Sequence, residues 1–421
     1  MKTAASKRRR DLFTKSTLLN YLGKTRQMLK VIHSTTTWLP QTQTWLYGQV
    51  KKMHNLDLET HVVAEKLTNL DQFTVDNIHS LDEESLYRQI LKHSLFSRLR
   101  RRLRAHDYQK KLLKVSKCVE PDVIHSHFGD RAWMNLNLAR KTNARHAVNF
   151  YGFDVNKLPL EKPIWRKRYK QLFKEADLFL CEGAHMVNCL IKLGCPAHKI
   201  KVQHLGVDLD NIAFRPRQWS RAEPLRVLIA ASFREKKGIP YAIKALQEVA
   251  RNTPLQLTII GDASEDTFSK NEKGHILTTL ERSGLRESTR LLGYQPHHVM
   301  MQEAYDHHFF LQPSITAADG DTEGGAPVAL IEMLATGMPV VATTHCDIPE
   351  VVGPAFSDFL APERDVECLA QRIEALLDKS ESWPSLTKQG REHVELEYNL
   401  NKQAERLLDF YRQLIGDNVP A

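Results

Sequence analysis

The stretch DGDTEGGAPVALIEMLATGMPVVATTHCDIPEVV, residues 319 to 352, joins a glycine turn, a helix and a strand around one anion-binding point. Gly324 and Gly325 permit positive φ and a close ligand approach, and Pro327 suits the first helical position, where no amide hydrogen is needed. The spacing predicts a helix from about Pro327 with Val328, Leu330, Ile331 and Leu334 on its apolar face, ended by Gly337, Met338 and Pro339 before the strand PVVAT. The unpaired amides of its first turn and the helix dipole make a site for phosphate. Glu332, just over one turn in, can accept hydrogen bonds from the two hydroxyls of a ribose, and Glu323 in the loop can hold a second polyol. Sugar, diphosphate and ribose in that order describe a nucleoside-diphosphate sugar.

Working outward, RVLIAASF (residues 226 to 233) reads as a buried strand, REKKG follows as a basic loop, and IPYAIKALQEVA reads as a helix. LQLTIIGDAS from Leu255 and TRLLGYQPHHVMMQEAYDHHFFLQPSITAADGD from Thr289 continue the alternation, which predicts a parallel, doubly wound sheet with its ligand loops at the carboxyl ends of the strands. Cations in REKKG would there face a bound diphosphate and stabilise it as it leaves.

These motifs, over about Arg226 to Phe410, resemble the donor half of the retaining glycosyltransferases of family four, of the polysaccharide and colanic-acid type. The resemblance implies the GT-B fold: an α/β protein of two doubly wound Rossmann-like domains facing a central cleft. It implies that Lys237, Arg234 and Glu323 carry catalysis. Donor binding would fall to Glu332, Gly324, Gly325, Ala326, Pro327, Ser232, Tyr151, Gly152 and His127. Three positions depart from the family pattern. GGAPVALI puts eight residues between Glu323 and Glu332, one more than usual, so either the loop bulges by a residue or Gly324 takes the first glutamate's place. Ser232 stands at the usual arginine, with Arg234 two residues on as its replacement, and Tyr151 stands at the usual histidine.

The amino-terminal half supplies the second Rossmann-like unit. VIHSTTTWLPQTQTWLYGQV reads as strand, loop and helix start, with Thr44 and Trp45 at a turn similar to that of polysaccharide-type members. PDVIHSHFGD places His125 and His127 after one strand, and AVNFYGFDV places Tyr151, Gly152 and Asp154 after another; His127 either faces the cleft or is held by loop hydrogen bonds. The expected division is a basic extension over 1–28, an acceptor domain over 29–215, a polar linker over 216–223, a nucleotide-sugar domain over 224–398 and a final helix, 399–421, bracing the first domain.

At 421 residues, 42% apolar and 26% charged, the chain fits two soluble globular domains. Its six cysteines lack zinc-like spacing, no apolar run follows the basic start, and none is long enough to span a bilayer, so a cytoplasmic protein is expected. Part of the +9 net charge is concentrated between Lys92 and Lys117, where ten basic residues face Asp107 alone. Leu95, Phe96, Leu99, Leu103, Tyr108, Leu112 and Leu113 interleave at helical spacing, which suits an anionic membrane surface on the inner face of the plasma membrane. No recognition motif or stacking pattern accompanies them, so nucleic acid is not an expected partner. Asp319 and Asp321 have the spacing of a divalent-metal loop, but they lie beside a helix start that already neutralises phosphate, and no metal or other cofactor is expected. The expected reaction is transfer of a sugar from a nucleoside diphosphate to a glycan or lipid-linked acceptor in cell-surface polysaccharide synthesis. The alternatives are a non-catalytic nucleotide-sugar binder on the same fold and a sugar-nucleotide epimerase.

Overall fold

A computed structural model of the chain describes residues 28–40, 44–56, 58–81 and 97–416, with side chains of 97–106 excepted. Of the expected basic extension, 1–28, only Met28 falls among the described residues.

Two all-parallel sheets form the molecule. The first takes strands β1 (Leu29–Trp38), β2 (Leu58–Leu67), β3 (Ile78–Ser80), β4 (Val123–His127), β5 (Arg145–Asn149), β6 (Leu178–Cys181) and β7 (Ile200–Val202) in the order β3-β2-β1-β4-β5-β6-β7. The second takes β8 (Leu225–Ala230), β9 (Leu255–Ile260), β10 (Thr289–Gly293), β11 (Phe309–Gln312), β12 (Val340–Thr343) and β13 (Leu360–Ala361) in the order β10-β9-β8-β11-β12-β13. Each order reverses once, between β1 and β4 and between β8 and β11. Ligands of such sheets bind at that switch point, outside the carboxyl ends of the strands. The central strands are apolar runs buried on both faces, FFLQ in β11 and VVAT in β12 among them, because helices cover both sides of a parallel sheet.

The last helix, Leu400–Ile415, packs Ala404, Leu407, Leu408 and Tyr411 against Leu29, Val31 and Met53 of the first unit. Tyr411 also reaches the His125 Nδ1 at 2.5 Å.

Residues 216–223, the expected linker between the two units, bury Arg217 and Trp219. The Arg217 guanidinium donates to the carbonyls of Ala304, His307 and Thr336, closing two helix ends of the second unit. One expectation is corrected: the basic segment does not offer its apolar stripe to a membrane where it is described. In the helix Ser97–Val119, Tyr108 and Leu112 are buried in the first unit's core beside Ile32 and Ile124, and the Tyr108 hydroxyl donates to Asn135 at 2.9 Å. Residues 92–96, and the side chains of Leu99 and Leu103, lie outside the described part.

Candidate active site

The two loops that leave β8 and β11 meet at the second switch point. After β8 the chain makes a single turn, Glu235–Lys237, ended by Gly238 at φ 63°, and then enters the helix Ile239–Val249. That turn sends Lys237 Nζ to Glu323 Oε2 at 2.7 Å, both side chains being largely buried. Ser314 donates to the other Glu323 oxygen at 2.7 Å. Burial alone would raise the Glu323 carboxyl, but Lys237 and Lys236 outweigh it and hold the group down at about 2. Glu323 is therefore an anion locked against the cation of the opposite loop. Its neighbour Lys236 is engaged too, donating to the Thr322 carbonyl at 2.8 Å and pairing with Asp321 at 3.2 Å.

The helix Val328–Ala335 begins at Pro327 with no side-chain cap; the Leu330 and Ile331 amides donate to the Pro327 carbonyl, and those of Val328 and Ala329 are left for a ligand. Glu332 lies on this helix, 2.8 Å from His297 Nε2 at the start of the helix His297–Asp306. That hydrogen bond, opposed by burial, raises the His297 pKa.

The first unit closes over this turn. Gly152 and Gly324 touch backbone to backbone: a Cβ on Gly324, at φ 84°, would stand 2.2 Å from the Gly152 nitrogen. Asn156 donates to Thr322 Oγ1 at 2.7 Å, and Lys157 pairs with Asp319 at 2.5 Å. From the second unit, Asp347 and Glu350 in turn accept from the amides of His185 and Ala184, the first turn of the helix Ala184–Lys192. Glu182, at the end of β6, accepts from the Ala326 amide at 2.9 Å.

The structure thus brings together Lys237, Glu323, Gly324, Gly325, Ala326, Pro327 and Gly152, with Glu332 one helical turn away. Two predicted residues are placed away from this group, Arg234 and His127. Arg234 is half exposed and turns outward toward Asp266, 3.9 Å away, because the turn that aims Lys237 inward points its own start at the rim. Ser232, two residues before it, is half-buried. His127 does not face the cleft; it is fully buried, held between His33 at 3.1 Å and the Tyr151 hydroxyl at 2.9 Å.

His33, His125 and His127 lie close enough to suggest a metal centre. Their rings argue otherwise, since His127 stacks on His125 at 25° and on His33 at 18°. Lone pairs in near-parallel planes do not converge on one ion, and both His125 nitrogens are taken by Tyr411 and Asn149. Burial lowers the pKa of all three, so this is a neutral hydrogen-bonded stack. It orients Tyr151.

Sequence reasoning missed Glu182, Ser314 and His297. Glu182 carried a usable signal, an acid directly after a buried apolar strand; His297 and Ser314 had none beyond lying in predicted strand-end loops. A cavity of about 560 Å³ lined by Lys117, Lys141 and Arg145 opens at the amino ends of the first sheet, the opposite end from this cleft.

Residues 211–393 match the family described as glycosyl transferases group 1, and residues 42–211 match glycosyltransferase family 4. The putative colanic acid biosynthesis glycosyltransferase WcaL of Escherichia coli K12 is 34% identical over 303 residues, 70% of this chain and 72% of that protein. The amylovoran biosynthesis glycosyltransferase AmsK of Erwinia amylovora is 30% identical over 296 residues, 70% of each. Among solved structures, sucrose-phosphate synthase from Thermosynechococcus elongatus superposes with a TM-score of 0.74 at 15% identity, covering 93% of this chain and 100% of that one. Anabaena HepE in complex with UDP-glucose gives 0.69 at 15% identity, covering 91% and 100%. The fold and the cleft are those of a GT-B glycosyltransferase. The chain belongs to glycosyltransferase family 4 and is an enzyme of that class.

Proposed function

We propose that the enzyme moves a sugar from a nucleoside-diphosphate sugar to a hydroxyl of a glycan or lipid-linked acceptor, with retention at the anomeric carbon, in the synthesis of a cell-surface polysaccharide. The observation that carries this reading is the meeting, at one switch point, of an uncapped helix start, Lys237 and Glu332. The diphosphate sits on the free amides, Lys237 leaves Glu323 to neutralise the departing phosphate, and Glu332 exchanges His297 for the ribose hydroxyls. The phosphate oxygen takes the acceptor proton on the same face, as in other retaining members of the family, and closure of the first unit excludes water. The names of WcaL and AmsK support the polysaccharide assignment. No metal is required in this scheme, because Lys237 and the helix start supply the positive charge, while Asp319 and Asp321 are already paired with lysines.

Replacing Glu332 by alanine removes two charge-assisted hydrogen bonds to ribose and is expected to weaken donor binding about 10²-fold, with the melting temperature little changed. Calorimetric titration over UDP-, GDP- and ADP-sugars, with EDTA present throughout, measures this. Unchanged affinity in the variant removes the ribose role, and loss of wild-type binding in EDTA removes metal independence.

Contact with an anionic membrane is the second part of the proposal, now resting on charge alone. Lys110, Lys114 and Lys117 are exposed on the helix whose apolar side is buried. Vesicles containing anionic lipid are expected to retain the protein at low salt and release it at high salt. Equal retention by neutral vesicles would count against it.

A further inference from the structure

The one-residue excess between Glu323 and Glu332 has a structural counterpart in the other domain. Glu323, the loop acid, is buried in its pair with Lys237 and Ser314. The next two positions are glycines, so the sugar-facing end of the turn has no side chain of its own. Into that space comes Glu182 from the end of β6, 5% exposed, its Oε2 on the Ala326 amide at 2.9 Å. A Cβ on Gly325 would lie 1.9 Å from that same oxygen. The space Gly325 leaves is therefore the space the Glu182 carboxylate fills.

We propose that Glu182 is the carboxylate that reads the transferred sugar in this enzyme, accepting hydrogen bonds from the hydroxyls of a neutral hexosyl group. This rests on the nucleotide-sugar reading above. Without donor, Glu182 occupies the Ala326 amide at the lip of the anion site. A bound diphosphate claims that amide, and the freed carboxylate meets the sugar held between the two domains. Three further acids, Asp347, Asp154 and Glu323, act on Glu182 electrostatically. A uronate in the same place would meet the Glu323 anion, whereas a neutral polyol meets acceptors for its hydroxyls. Burial, opposed by the Ala326 amide, raises the Glu182 carboxyl to about 8, so near neutral pH it is able to donate as well as accept. Because it belongs to the first domain, Glu182 engages the sugar only in the closed enzyme, which links sugar identity to closure.

The test separates the sugar from the nucleotide. Wild type, Glu182→Gln and Glu182→Ala are titrated with UDP, GDP and ADP, with the hexose esters of each, and with UDP-glucuronate against UDP-glucose. Both variants are expected to bind the free diphosphate within about twofold of wild type and to lose about tenfold or more for the hexose ester, glutamine less than alanine. Wild type is expected to bind the hexose ester more tightly than the uronate. Glutamine keeps the volume and an oxygen for the Ala326 amide, so it remains decisive if the alanine variant melts early. Equal losses for diphosphate and ester, no loss for either, or a wild-type preference for the uronate overturns the proposal. A wild type that binds none of these nucleotides overturns the nucleotide-sugar reading itself, and the role of Glu182 with it.

Discussion

Lys237→Ala is expected to lower the rate of glycosyl transfer by roughly 10²–10³-fold, the range found when a preorganised electrostatic group is taken from a developing anion. Donor binding should fall much less, because the amides of the helix Val328–Ala335 and Glu332 remain. The variant also strands a buried charge. Glu323 is 6% exposed and is held at about 2 by the two lysines against its own burial, and breaking a buried pair costs about 3–5 kcal/mol. Lys236 and Ser314 offset part of that cost. A slow enzyme that was merely less stable would leave the role of Lys237 open, so the double variant Lys237→Ala, Glu323→Gln is the informative one. It removes the stranded charge, and its melting temperature should return toward that of wild type. Single-turnover transfer should stay slow. Recovery of wild-type rates in the double variant would show that Lys237 serves only to hold Glu323.

Much of the second half of the chain as far as β12 was legible, because most of its strands are buried apolar runs and the helix from Pro327 carries a marked start and stop. The predicted helix from Pro327 is found at Val328–Ala335, and the PVVAT segment is β12. Lys237 and Glu332 were found for the same reason: both stand at fixed offsets from a glycine or proline that determines the local backbone. What failed to show was orientation. Arg234 and Lys237 share one charged turn, and only the three-dimensional turn, ending at Gly238 with φ 63°, decides that one points out and the other in. His127 alternates along β4 in a way that any cleft histidine would. Its burial follows from His33 lying opposite it, 94 residues away. Tyr108 and Leu112 lie on an apolar stripe that suits a bilayer and a protein core equally well, and the core takes them. The position of Glu182 after a buried strand was legible, but its contact was not, since its partner, the Ala326 amide, is 144 residues distant and in the other sheet's domain.

That contact between domains makes its own prediction at Gly152 and Gly324. A Cβ on Gly152 would stand 2.7 Å from the Gly324 nitrogen and 2.8 Å from the Thr322 carbonyl oxygen; one on Gly324 would stand 2.2 and 2.3 Å from Gly152 backbone atoms. These neighbours are main chain, so no side chain can rotate to relieve the overlap, and the domains must stand further apart. Gly152→Ala and Gly324→Ala are each expected to reduce transfer by about 10²-fold, the loss associated with a misplacement near 1 Å. Gly152 is the cleaner site, because at φ −62° an alanine adds no backbone strain, whereas Gly324 at φ 84° adds that penalty as well. Each unit keeps its own core, so melting temperatures for Gly152→Ala should move little, while the radius of gyration from solution scattering in the presence of donor should exceed that of wild type. Gly274→Ala supplies the control, since nothing lies within 4 Å of a Cβ placed there in the helix Thr267–Ser283, and its activity should be unchanged. Full activity in Gly152→Ala would mean that the two backbones need not meet during turnover, and closure would then have to act through Asn156, Lys157 and Glu182 instead.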